Sequence, residues 1–237
     1  HNAYPVVTNY KLMNNLFYDR IDLGLSKGSG LIETNQVVKM DVGVGERGNL
    51  KKQFDEKLKL IYDLLYNEKE NLKQNQIVIP PFGGKPPEMW YLSTSYRNFE
   101  TAIKYKLNYC RSLFHSAPNE DHYKKEDVLK FKQDFFDKHN FYPVINLGIS
   151  ICVGDTMAEA KKEHEKLLNH YGKGENESFI IFPVTIDSLY EMLTEFQELY
   201  GIDEFIIHDL TDDPQKMLVN IKEISEKFNL KKELQVN

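Results

Sequence analysis

The chain has 237 residues, 41% of them hydrophobic and 28% charged, which fits one large domain or two small ones with a sizeable core. A formal net charge of −6, with the lysines dispersed among glutamates, argues against a nucleic-acid coat, and no apolar stretch approaches the roughly 18 to 20 uncharged residues a membrane helix needs. The two cysteines, Cys110 and Cys152, sit in apolar runs without metal-ligand spacing, as suits buried thiols in a reducing compartment, so a soluble cytoplasmic protein is expected.

A first helical segment over 6–17 begins almost at once after His1, and the absence of an initial methionine leads us to expect a missing upstream part. An apolar run at 20–25 then breaks into Gly24-Leu25-Ser26-Lys27-Gly28-Ser29-Gly30. Glycines let a backbone approach an anion, exposed N–H groups cradle it and one lysine neutralises it, so this loop reads either as a phosphate site or as a flexible connection after a strand. Gly43-Val44-Gly45-Glu46-Arg47-Gly48 echoes a nucleotide loop without a strand before it and reads as a lid or an irregular stretch. Phe54, Leu58, Ile61, Leu64 and Leu65 fall on one helical face, and 77–87 is too rich in proline and glycine for a regular element.

A second strand over 89–92 runs into Ser93-Thr94-Ser95, followed by a helix whose apolar face includes Phe99, Ala102 and Ile103. Hydroxyls there cap the helix, and the remaining N–H groups suit a phosphate dianion. Further strands are expected over 109–114, 144–153 and 204–208. Between the last two, Asp155-Thr156 starts a helix over 157–171, Thr185-Ile186-Asp187-Ser188 starts another carrying Leu189, Met192, Leu193, Phe196 and Leu199, and Gly172 and Gly201 stop them. Charged stretches such as Lys124-Lys125-Glu126-Asp127 are solvated helix faces. Five strands alternating with helices are the pattern of an α/β protein with a mainly parallel sheet.

These runs, in this order, resemble the luciferase-like flavin monooxygenases, the family that contains bacterial luciferase. Arg20-Ile21-Asp22-Leu23-Gly24-Leu25 resembles that family's Gly-Arg-Ile-Asp-Leu-Gly strand, with Asp19 in place of the glycine. Pro87-Glu88-Met89-Trp90-Tyr91-Leu92-Ser93-Thr94-Ser95 is similar to its Pro-Glu-Leu-Trp-Leu-Leu-Gly-Ser-Ser segment, with Ser93 where glycine is common. The segment 158–167 resembles the helix after the seventh strand, and 185–208, with Tyr200-Gly201-Ile202-Asp203-Glu204, the last helix and the approach to the eighth strand.

The resemblance implies a (β/α)8 TIM barrel with its ligand at the carboxyl ends of the strands, the five runs being strands four to eight of a single domain over 1–237 whose amino-terminal part is missing. Edges left open by absent strands invite association, so a homodimer or another partner is expected. Carried across by position, FMN would be bound through Lys27, Thr94, Ser95 and Asn98, lysine standing where arginine is frequent and so losing a bidentate contact. Ser26 stands where luciferase has a reactive cysteine. No catalytic residue is assigned; His115 is the candidate on position alone, with His208 behind it. The implied activity is monooxygenation of a small organic substrate by reduced FMN and molecular oxygen, with a flavin reductase as partner. The alternative is a non-catalytic flavin-binding relative, or a barrel remnant acting in assembly.

Overall fold

The computed structural model describes residues 2–26, 47–94, 98–113, 125–170 and 180–230, which form two compact units. One comprises His1–Leu92 with Glu100–Asn108, the other Ser93–Phe99 with Tyr109–Asn237.

In the first unit, α1 (Ala3–Leu16) starts three residues earlier than its apolar spacing predicts, because the Asn2 side chain accepts the Tyr4 N–H at 3.2 Å and caps it there. Its buried face is Ala3, Val7, Lys11 and Asn14, the i, i+4 spacing of one helical stripe. The fully buried Lys11 ammonium is paired with Glu68, whose other oxygen accepts the Gly83 N–H at 3.1 Å, so one carboxylate ties α1 to α3 (Glu68–Asn75) and to the proline-rich loop. Strand β1 (Asp22–Leu25) lies parallel to β2 (Glu88–Ser93), with Leu23 opposite Met89, both buried. The long α2 (Arg47–Tyr66) buries Leu58, Ile61, Leu64 and Leu65 as its spacing predicts, and Phe54 meets Tyr91 edge-to-face at 5.9 Å. A short helix, α4 (Phe99–Lys104), ends at a turn before β3 (Asn108–Ser112).

The second unit is built around β4 (Ile145–Val153). In a parallel ladder, alternate residues turn both backbone groups to the same edge. Gly148 O accepts the Leu113 N–H (2.8 Å) and the Gly154 N–H donates to Val184 O (3.0 Å), so β3 and β5 (Ile181–Val184) follow one another along one edge. Ile145 O and Ile151 O accept from Asp203 and Leu210 (both 2.9 Å), which puts β6 (Glu204–Asp209) on the opposite edge. All three pairings are parallel. Strand β5 is a sixth strand where five were expected, short and interrupted by Pro183, which lacks a ladder donor.

The odd positions of β4 (Ile145, Leu147, Ile149, Ile151, Val153) are all buried. Tyr109, opposite Ile145, contacts Phe131 of α5 (Lys125–His139), where Phe99 stacks on the same ring at 4.2 Å. Asp203 clamps the strand starts: one carboxylate oxygen accepts the Ile145 N–H (2.8 Å), the other the Lys132 ammonium (2.7 Å), which also reaches Gly201 O (3.0 Å). Helix α6 (Met157–His170) follows β4, and α7 (Ile186–Tyr200) opens on the expected Thr185 signal, a full capping box with Ser188, and ends at Gly201 with φ +66°. It buries Leu189 and Leu193, while Leu199 of the predicted face is exposed. Helix α8 (Pro214–Lys227) is capped by Asp213.

Candidate functional site

Strand β4 alternates residue by residue, and its even positions are Asn146, Gly148, Ser150 and Cys152, the last turned to α6, where its thiol donates to Ala160 O. Register puts Cys110 and Ser112 of β3 beside Asn146 and Gly148, and Glu204, Ile206 and His208 of β6 beside Asn146, Gly148 and Ser150. Across three neighbouring strands this face carries two hydroxyls, an amide, a carboxylate and an imidazole, while the opposite face carries the buried Arg111 beside Leu147 and Asp209 beside Ile151. Gly148 lies between the amide and the Ser150 hydroxyl, and a methyl group there would meet only ordinary contacts, the nearest at 3.5 Å.

The strand ends concentrate the titratable chemistry. Ser150, buried, places Oγ 3.5 Å from Nδ1 of the exposed His208, so the hydroxyl and the imidazole tautomer are coupled. Asn146, 5% exposed, has an Oδ1 with no hydrogen-bond partner among the described residues, an acceptor that a donor-bearing ligand would satisfy. The thiols are poor nucleophiles: burial pushes Cys110 up to about 11, and burial followed by the negative charges of Asp209 and Glu163 pushes Cys152 up to about 11. Among the described residues no cluster of histidine, cysteine, aspartate and glutamate could hold a metal ion, and no helix is long and apolar enough to cross a membrane.

Of the residues expected at the phosphate, Thr94 is exposed in the bend that ends β2 and Asn98 is half-buried in the turn opening α4, both in the second unit. That helix is only six residues long, so side chains and loop N–H groups, more than a helix dipole, would carry any anion contact. Lys27, Ser95 and His115 lie outside the described residues, as do Gly172 and most of the Gly43–Gly48 motif. Ser26 is exposed directly after β1. His208 stands at the end of β6, as expected. The sequence reading missed its partner Ser150, although the alternation of polar and apolar residues through 145–153 carried that signal.

No family model matches the chain, and no curated protein matches it. Solved structures do. Apo-MsnO8 superposes with a TM-score of 0.72 at 17% identity, covering 98% of this chain and 76% of that one. The EDTA monooxygenase EmoA from Chelativorans sp. BNC1 gives 0.65 at 12% identity, covering 96% and 71%. The oxygenating constituent of 3,6-diketocamphane monooxygenase from the CAM plasmid of Pseudomonas putida, solved in complex with FMN, gives 0.61 at 15% identity, covering 99% and 77%. With its parallel strand–helix order, the chain has the fold of the luciferase-like flavin monooxygenases.

Proposed function

We propose that the chain binds FMN and acts as a flavin-dependent monooxygenase on a small organic substrate, with reduced flavin supplied by a separate reductase in the cytoplasm. The observation that carries this reading is the fold, shared over nearly the whole chain with an oxygenase component that holds FMN. The residues present suit the group. Lys27, Thr94, Ser95 and Asn98 supply one cation and three polar side chains for a phosphate dianion. The polar face of β4 and β6 offers an unpartnered acceptor at Asn146 and a hydroxyl–imidazole pair, matching a ring system that both donates and accepts.

When bound, the reduced flavin supplies two electrons to oxygen, one oxygen atom going to the substrate and the other leaving as water. The chain's own residues orient and shield. Leu113, buried just past β3, would shield the strand ends from water, and His208, with Nδ1 3.5 Å from Ser150 Oγ, would accept or donate a proton there. Lys27→Ala and Ser95→Ala are each expected to weaken FMN by about 1–3 kcal/mol in fluorescence titrations and to leave riboflavin, which lacks the phosphate, unchanged. Equal loss for both flavins would remove the phosphate site.

A second reading, assembly without turnover, is favoured by the 50% exposure of Ile206 on the polar face and by β6 pairing with β4 alone among the described residues. Light scattering across a concentration series tests it, a homodimer being expected and a monomer at every concentration counting against it.

A further inference from the structure

Beyond the polar face, the second unit contains a cavity of about 530 Å³ at the carboxyl ends of β4 and β6, between α6 and the first turn of α8. Its volume lies in the range of small-molecule sites. Its floor is apolar and buried: Cys152, Val153, Leu167 and Leu210. The Cys152 thiol donates to Ala160 O at 3.4 Å, so the floor presents no unsatisfied polar atom of its own.

The rim decides the sign of the ligand. Both lysines on it are already committed. Lys166 is paired with Glu163 at 2.6 Å and Lys216 with Glu159 at 2.9 Å. Asp213 spends one oxygen on the Gln215 N–H (2.9 Å) and keeps its charge. Asp212 is exposed and makes no hydrogen bond or ion pair among the described residues. What remains uncompensated is therefore negative, and it stands above a hydrocarbon floor. At the bottom, burial first and then the negative charges of Asp209 and Glu163 hold the Cys152 thiol in its neutral form.

We propose that this cavity binds a small organic cation with an apolar body, an alkylammonium, whose chain covers Leu167 and Leu210 and whose charge meets Asp212. The preference is opposite to that of a flavin phosphate, and none of the cavity's residues is among the proposed phosphate contacts, so its test does not depend on them.

The experiment titrates the full 237-residue chain, methyl-labelled at leucine and valine, with hexylammonium and in parallel with hexanoate, followed by NMR. Hexylammonium should saturate with a dissociation constant of about 1 mM or tighter, moving the methyl signals of Leu167, Leu210 and Val153 first, while hexanoate leaves them in place. Asp212→Asn, an exposed substitution outside the core, should weaken hexylammonium about fivefold, the scale of an exposed ion pair. Leu167→Trp, which fills the cavity, should abolish the shifts. Hexanoate binding as well as the amine, shifts confined to methyls elsewhere, or an unchanged affinity in Asp212→Asn would each overturn the proposal.

Discussion

Gly154 joins β4 to α6 at the strand end where the candidate site and the cavity meet, and its replacement by alanine tests whether that junction is as tight as the structure shows. A Cβ at Gly154 would stand 2.4 Å from Ala160 N, 2.8 Å from Thr156 O and 2.9 Å from Ala160 Cα. All three are backbone atoms of the turn that starts α6, so no flexible side chain can swing aside. The turn itself must move, and with it the Gly154 N–H bond to Val184 O and the Ala160 N–H bond to Thr156 O. Overpacking of this kind costs about 1–3 kcal/mol, and contact with backbone places Gly154→Ala near 3 kcal/mol. At about 2–4 °C per kcal/mol for a chain of this size, the melting temperature should fall by about 6–12 °C in calorimetry. Gly148→Ala on the same strand is the control, since its added methyl meets nothing nearer than 3.5 Å; it should cost under about 1 kcal/mol. A Gly154→Ala protein within about 0.5 kcal/mol of the parent, or no milder an effect at Gly148, would mean that the junction has room to yield.

Two further predictions concern stability. Asp203→Ala removes the acceptor of the Ile145 N–H and leaves the half-buried Lys132 ammonium without its carboxylate. It should destabilise by about 2–3 kcal/mol in urea unfolding, and Lys132→Met in the same background should add less than it does alone. Because Cys110 and Cys152 ionise near 11 when folded and near 9 when unfolded, and Tyr66 near 12 instead of 10, the unfolded chain gives up protons first on raising the pH. The stability they contribute is complete below pH 9 and is lost as the pH rises through 11. Unfolding at pH 8, 9.5 and 10.5 measures this, and slow reaction of both thiols with a disulfide reagent at pH 8, accelerated in urea, is the companion observation; flat stability across that window would contradict it.

Much of the fold was legible because the signals are local. The α2 stripe of Leu58, Ile61, Leu64 and Leu65, the Thr185 cap and the Gly201 stop each follow from residues within a few positions of one another. Strand β5 was not legible, since four residues around Pro183 gain strand character only by lying along β4. Asp203 reads in the sequence as part of an approach to a strand, whereas its clamp on Ile145 and Lys132 depends on residues 58 and 71 positions away. The polar face of β4 could be read from strict alternation, but that Ser150 meets His208 required the register of β6. The cavity could not be read at all, because its floor combines Cys152, Leu167 and Leu210 from three elements. Of the residues proposed for a flavin phosphate, Thr94 lies in the bend after β2 and Asn98 in the turn before α4, while Lys27 and Ser95 lie outside the described residues.

A fluorescence-quenching titration of the purified chain with FMN beside riboflavin tests whether this fold holds a flavin phosphate. FMN should bind saturably, tighter than riboflavin by about 1–3 kcal/mol from the phosphate contacts, and its binding should be weakened by competing inorganic phosphate. Equal affinity for the two flavins, or no quenching by FMN, would contradict it.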